Sequence, residues 1–164
     1  MRVLGIDPGI AIIGYSVLDF YNNRLKLVEY GCITTSSKST LPNRLKFIDD
    51  EMNNIIKEFK PKEMAIEELF FNKNVKTAIT VAQARGVEVL AGVRNGLEVF
   101  EYTPLQVKQG VVGYGRADKL QVQESVKGIL RLDHIPKPDD AADAIAIAIC
   151  HCFSNKFKYL YEMR

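Results

Sequence analysis

Three apolar segments of this chain each carry an acid where a packed core should reject one. Asp7 closes Val3-Leu4-Gly5-Ile6, Glu67 closes Met64-Ala65-Ile66, and Asp140 and Asp143 open the apolar run that begins at Ala144. A lone carboxylate in apolar surroundings is costly and tends to protonate. Acids at the ends of core elements therefore ask the fold to bring those ends together around something cationic. Like charges about 4 Å apart repel by about 4 kcal/mol per pair at an effective dielectric near 20, so such a cluster is unstable without cations. Hard carboxylate oxygens suit Mg²⁺ or Mn²⁺. Two such ions about 3.5–4 Å apart can activate a water and stabilise the leaving oxygen of a phosphodiester.

The order of elements says where the acids fall. Residues 3–7 read as a buried strand, which Pro8 stops for want of an N–H and Gly9 turns. Residues 12–20 and 25–34 read as two further strands around the turn signal Asn22-Asn23, completing an antiparallel meander. Leu45, Ile48, Met52, Ile55, Ile56 and Phe59 have helical spacing and predict a helix over 41–59, ended by Lys60-Pro61. A fourth strand is expected over 64–69 and a fifth over 97–102, with a long helix over 75–94 between them. Helices are expected over 104–112, 119–130 and 139–153. The sum is an α/β fold: a mixed five-stranded sheet, three strands antiparallel and two parallel, flanked by helices. Ligand sites in such sheets lie beyond the carboxyl ends of strands, where Asp7 and Glu67 stand.

The helix over 75–94 is apolar on two sides. Its stripe Val75, Ile79, Ala82, Gly86, Val89, Val93 reads as the core face. The other side, with Thr80, Val81, Ala84, Val87 and Ala91, is weakly charged, which suggests a subunit interface or a fully internal helix. On the last helix Asp140 and Asp143 share a face, and so do Asp139 and Asp143. Spacing does not choose between Asp139 and Asp140, or between Glu67 and Glu68. Helix N-capping accounts for Asp139 or Asp140, but not for Asp7, Glu67 or Asp143.

Bulk properties narrow the class. At 164 residues, with 47% apolar and 26% charged residues, one domain over 1–164 with a sizeable core is expected. A net charge of +2 says little, but its distribution says more. Residues 70–85 hold Lys73, Lys76 and Arg85 with no acid, and residues 104–131 hold Lys108, Arg116, Lys119, Lys127 and Arg131 against Asp118 and Glu124. Such segments can form one basic face or merely solvated helix surface. The three cysteines, Cys32, Cys150 and Cys152, form no spaced disulfide framework and fit a reducing compartment. Cys150-His151-Cys152 does not converge on zinc, since adjacent helical residues diverge by roughly 100°. The first apolar run ends at Asp7 and no stretch reaches about 18 apolar residues. A cytoplasmic protein with no membrane association is expected.

Six motifs occur in order: Gly5-Ile6-Asp7-Pro8-Gly9, Ala65-Ile66-Glu67, Gln83-Ala84-Arg85-Gly86-Val87, Phe100-Glu101-Tyr102, Gln106-Val107-Lys108-Gln109 and Asp140-Ala141-Ala142-Asp143-Ala144. In these the chain resembles the RuvC family of bacterial Holliday-junction resolvases, within the ribonuclease H-like superfamily, from Met1 to about Phe153. The resemblance implies a homodimeric, metal-dependent endonuclease that resolves four-way DNA junctions by paired, symmetric nicks. It carries the catalytic and metal-binding acids onto Asp7, Glu67, Asp140 and Asp143, with two Mg²⁺ per site and Mn²⁺ as a substitute. Some members have a histidine where this chain has Asp140. Asp7 is expected to bridge the metals and the other three acids to complete their shells, giving a 3′-hydroxyl and a 5′-phosphate. Lys108 and Lys119 match basic residues near DNA phosphates, and Phe70 matches an aromatic that stacks on junction bases. Family members work with a junction-binding protein and a branch-migration motor.

The residues support DNA contact independently. Phe70-Phe71-Asn72-Lys73-Asn74 follows the fourth strand directly, and an aromatic loop beside basic side chains can stack on bases at about 1–3 kcal/mol each. One of Phe70 and Phe71 is expected to be exposed, not both. Lys73, Lys76, Arg85, Lys108, Arg116 and Lys119 complete the expected DNA-binding set. Gly110, Gly113 and Gly115 around Tyr114 suggest a mobile loop between the two lysines. The rivals are a ribonuclease H-like nuclease acting on RNA–DNA hybrid or pre-ribosomal RNA, a non-catalytic junction binder, and an actin-like ATPase. The last also opens with a phosphate-binding hairpin but needs a second lobe.

Overall fold

The computed structural model describes residues 1–69 and 75–163, with the side chains of Val75 and Lys76 left undescribed. Strands β1 (Arg2–Asp7), β2 (Ile12–Tyr21) and β3 (Arg24–Thr34) come first, then helix α1 (Leu41–Phe59) and strand β4 (Glu63–Glu67). Helix α2 (Val75–Arg94), strand β5 (Glu98–Tyr102) and helices α3 (Pro104–Val112), α4 (Lys119–Leu130) and α5 (Asp139–Phe153) follow, with 3-10 turns over Asn155–Leu160. Among the described residues the strands form one sheet in the order β3-β2-β1-β4-β5. The β3-β2-β1 side is antiparallel and the β1-β4-β5 side parallel, as the sequence pattern predicts.

Local chemistry fixes these boundaries. Asn22 and Asn23 both take positive φ, 48° and 58°, the primed-turn geometry that matches strand twist. Lys60 adopts a left-handed C-cap with its N–H on the Ile56 carbonyl, and Pro61 forbids continuation. Capping boxes start α3 at Thr103 and Gln106, and α4 at Asp118 and Gln121.

The sheet is covered on both faces. One core joins α3, α4 and α5 to Val3, Ala65, Phe100 and Tyr102. The other joins Ile48, Met52 and Ile56 of α1, and Ala84 and Ala91 of α2, to Leu4, Ile6, Met64 and Ile66. Because side chains alternate along a strand, Asp7 and Glu67 leave their strands on the α5 face.

Helix α2 turns the opposite way from the expected one. The stripe read as its core face is largely outward: Ile79 and Val93 are each 56% exposed. The residues facing the sheet are Ala84, Glu88, Ala91 and Gly92. Small residues let α2 approach: a Cβ on Gly92 would stand 3.1 Å from the Met64 sulfur. The expected glycine loop is also less slack than its composition suggests. Gly110 lies inside α3, where a Cβ would meet the Cys150 sulfur at 2.8 Å, and a Cβ on Gly115 would meet Leu105 at 2.2 Å.

Beyond Phe153, where the sequence offered no reading, the chain returns to the β5 edge. Glu101 N–H bonds the Tyr161 carbonyl at 2.9 Å and Met163 N–H bonds the Val99 carbonyl at 3.1 Å, so the tail covers an edge that would otherwise stand open. Lys158 anchors it on Glu63 at 2.7 Å. Buried His151 joins Glu63 and Tyr102, each at 2.7 Å. Burial pushes the Glu63 carboxyl up, but hydrogen bonds from His151 and Lys158 outweigh it and hold that carboxyl below its ordinary value.

Candidate active site

The site begins with a close approach of α5 to the sheet. Asp7 on β1 pairs with Gly14 on β2. A Cβ on Gly14 would fall 1.9 Å from the Asp140 carbonyl oxygen, and one on Gly5 2.3 Å from that of Ala144. Ser16 donates its hydroxyl to the Ala144 carbonyl at 2.9 Å. Hydrogen atoms at positions 5 and 14, with Ala141, Ala144 and Ala148 on the helix, thus let α5 lie almost backbone on backbone across β1 and β2. That seat delivers the first turn of α5 to the rim where β1 and β4 end.

The four expected acids meet there electrostatically. Burial first, then the charges of Glu67, Asp143 and Asp140, push Asp7 up from its ordinary 3.8 to about 8. Burial and the Asp143 charge push Glu67 from 4.5 to about 7, against an opposing pull from Lys108. Asp143 is also raised, chiefly by burial, although Lys119 works against it. Asp139 behaves differently: a hydrogen bond from Lys137 and the charge of Lys119 hold it below its ordinary value. It bonds Lys137 at 2.8 Å and Gln123 at 3.2 Å, while its charge adds to the rise of Asp143. Glu68 is exposed.

Two lysines border the acids. Lys119, one residue inside the capping box of α4, donates to Asp143 at 3.1 Å and lies 3.5 Å from Asp139. Lys108 and Lys119 line a cavity of about 210 Å³ between α3, α4 and α5, with Glu67 and Asp143 on its wall and Val107, Val122, Ala146 and Ile147 as its floor. A larger cleft of about 440 Å³, around Arg24, Ile129, Arg131 and Phe153, lies at the opposite end of the sheet and has no carboxylate in its lining among the described residues.

Arg116 is exposed on the α3–α4 connection. Arg85, expected at the DNA, is turned inward. Its Nε–H donates to the Glu67 carbonyl at 3.0 Å and its Nη2–H to Glu101 Oε2 at 2.9 Å, leaving the side chain 13% exposed. The expected contacts Phe70, Phe71 and Lys73, and the side chain of Lys76, lie outside the described residues.

Several participants escaped the sequence reading. The sequence reading gave Gly14 no part in the site, although it pairs with Asp7 and seats α5. Glu88 is fully buried beneath the β1–β2 turn. Among the described residues neither of its oxygens has a hydrogen-bond partner of normal geometry, although the nearby Gly9 backbone favours its charged form. Burial pushes it from 4.5 to about 8. Its signal was an acid on a helix side otherwise free of charge.

The donor set suits hard cations: oxygen ligands only, mutually repelling, at a strand rim. Among the described residues no three His, Cys, Asp or Glu side chains stand close enough to make a ready cage.

A mixed sheet in this order, with acids from β1, β4 and a crossing helix meeting at its rim, defines a ribonuclease H-like nuclease. The model of the family "Crossover junction endodeoxyribonuclease RuvC" matches residues 3–151. The crossover junction endodeoxyribonuclease RuvC of Finegoldia magna is 71% identical over 164 residues, covering all of both chains. That of Alkaliphilus oremlandii is 56% identical over the same full length. Thermus thermophilus RuvC, solved in complex with Holliday junction substrate, superposes with a TM-score of 0.87 at 33% identity, covering 96% of each chain. The chain belongs to the RuvC family of crossover junction endodeoxyribonucleases, which are metal-dependent nucleases.

Proposed function

We propose that this chain is a Mg²⁺-dependent endonuclease that resolves four-way DNA junctions by paired, symmetric nicks during homologous recombination and repair. The observation that carries this reading is the coupling of Asp7 to Glu67, Asp140 and Asp143 at one sheet rim, in a chain so similar to a RuvC solved on junction substrate. Those four carboxylates are the residues that would hold two Mg²⁺, with Mn²⁺ able to substitute. When bound, the ions supply an activated water and neutralise charge on the scissile phosphate.

The chain's own groups do the rest. Asp143 aims the Lys119 ammonium along the cavity edge, where with Lys108 it can stabilise developing phosphate charge. Asp139, tied to Lys137 and Gln123, keeps Lys119 from swinging outward. Phe70, Phe71, Lys73, Lys76 and exposed Arg116 are proposed to contact the junction arms. The outward stripe of α2, with Ile79, Leu90 and Val93 each half exposed or more, is the proposed homodimer face. A two-fold dimer presents two sites to a two-fold junction, which is what paired nicking needs. A junction-binding protein and a branch-migration motor are proposed as partners.

Cleavage of a four-way junction, an RNA–DNA hybrid and a linear duplex under Mg²⁺ tests this reading. Paired symmetric nicks in the junction alone are expected. Faster cleavage of the hybrid would replace it with the hybrid-nuclease reading.

A further inference from the structure

The peptide unit that follows Glu67 is held at both polar atoms. Its N–H, on Glu68, donates to the Tyr102 carbonyl at 2.9 Å. Its carbonyl, on Glu67, accepts from Arg85 Nε at 3.0 Å. Arg85 is itself fixed by Glu101 of β5, through a 2.9 Å ion pair in which the side chains are 13% and 32% exposed. The β1–β4 register ends at Ile66, so Glu67 stands one residue past the support of β1. Glu68 and Leu69, the next two residues, belong to no strand or helix.

From this geometry we infer that Arg85 is a positioning residue: with Glu101 it clamps the end of β4 and so fixes where the Glu67 carboxylate stands. This rests on the reading of Glu67 as a catalytic acid. The guanidinium is suited to the task because its planar fork sends two N–H groups in set directions, one to a backbone carbonyl and one to a carboxylate. A lysine keeps the charge but not the fork. The clamp spans three elements, α2, β4 and β5, and holds both polar atoms of the Glu67–Glu68 peptide unit next to the carboxylate. A misplacement near 1 Å at a catalytic group costs about 100-fold in rate.

The test uses full-length Arg85→Lys and Glu101→Gln, with Glu67→Gln as reference, and reads two quantities. Junction affinity and its salt dependence are measured in Ca²⁺; the single-turnover cleavage rate is measured across a Mg²⁺ titration. The clamp predicts a rate loss of about 10- to 100-fold for Arg85→Lys and a smaller loss for Glu101→Gln. It also predicts a higher Mg²⁺ requirement in both and junction affinity within about twofold of wild type. A DNA-contact role for Arg85 predicts the reverse: affinity down about tenfold or more through loss of the fork, and Glu101→Gln harmless. That result overturns the inference, whatever the rate does, and so do unchanged rates in both variants. Should Arg85→Lys fail to fold, Glu101→Gln decides alone, since it frees Arg85 without removing it. Wild-type cleavage by Glu67→Gln would sink the underlying reading of Glu67 and leave the clamp without an object, an outcome separate from the others.

Discussion

Replacing Asp7 by asparagine should abolish cleavage and yet stabilise the metal-free protein. Burial and three neighbouring carboxylates push the Asp7 carboxyl from 3.8 to about 8. A carboxyl raised in the folded state contributes stability that is fully present below its unfolded value, and that contribution is lost as pH rises through the folded value. The window here therefore runs from about pH 4 to about pH 8. At roughly 1.4 kcal/mol per unit, the full shift amounts to about 5–6 kcal/mol. Glu67 rises for a shared reason, so the pair titrates jointly and its members do not add. Allowing for that, and for about 1 kcal/mol lost to a poorly paired amide, Asp7→Asn should gain about 2–3 kcal/mol near pH 8. For a chain of 164 residues this is roughly 5–10 °C in Tm. Thermal unfolding of both proteins without metal across that window provides the assay. The variant should melt slightly below wild type near pH 4 and overtake it as pH rises. Added Mg²⁺ should then raise the wild-type Tm more than that of the variant. A variant no more stable than wild type at pH 8, or a gap independent of pH, would refute the claim that the acids repel one another.

Gly14→Ala places a methyl 1.9 Å from the Asp140 carbonyl, so α5 must lift; cleavage should fall about 100-fold at a stability cost of about 1–3 kcal/mol, while Gly128→Ala, with open space at its Cβ, should leave both intact. Glu88→Leu removes a buried carboxyl that lacks a hydrogen-bond partner of normal geometry among the described residues and is raised from 4.5 to about 8; by the same sign argument its gain, about 2–3 kcal/mol near pH 8, should vanish toward pH 4.5 in melting curves. Lys119→Met should slow single-turnover cleavage by about 10- to 100-fold, with the salt slope of junction binding changed by at most about one. His151→Phe strips Glu63 and Tyr102 of a buried partner and should cost about 2–4 kcal/mol in denaturant unfolding with little effect on the rate per folded molecule.

The helices were readable to the residue because their ends are chemical events. Lys60-Pro61, the Thr103 and Asp118 capping boxes and Pro138 each force a boundary. Strand ends were less sharp: β4 was expected over 64–69 and runs Glu63–Glu67, since a strand stops where its neighbour stops and no residue of its own records that. Helix α2 was misoriented for a related reason. Both of its faces are apolar, and hydropathy does not say which meets the sheet. Side-chain volume does, because Ala84, Ala91 and Gly92 fit where Ile79 and Val93 do not. The tail after Phe153 left no periodic trace because backbone bonds to β5, the pairing of Lys158 with Glu63 and Glu98, and the stacking of Tyr161 on Tyr102 hold it.

The acids themselves were visible because each breaks an apolar run; what the spacing could not supply was the phase of α5. Asp139 and Asp140 both sit in its first turn, and either can share a face with Asp143. The choice follows from the seat on Gly14. Since the Asp140 carbonyl rests against Gly14 and Gly14 pairs with Asp7, Asp140 is carried to the β1 end, where its charge acts on Asp7. Asp139 is rotated away onto Lys137, Gln123 and Lys119. A bulkier residue at position 5 or 14 would lift the helix and relieve the crowding of charge, and with it the demand for cations. The repulsion that makes this rim costly when empty is therefore set as much by two missing side chains as by four carboxylates, and glycine at these positions belongs to the chemistry of the site.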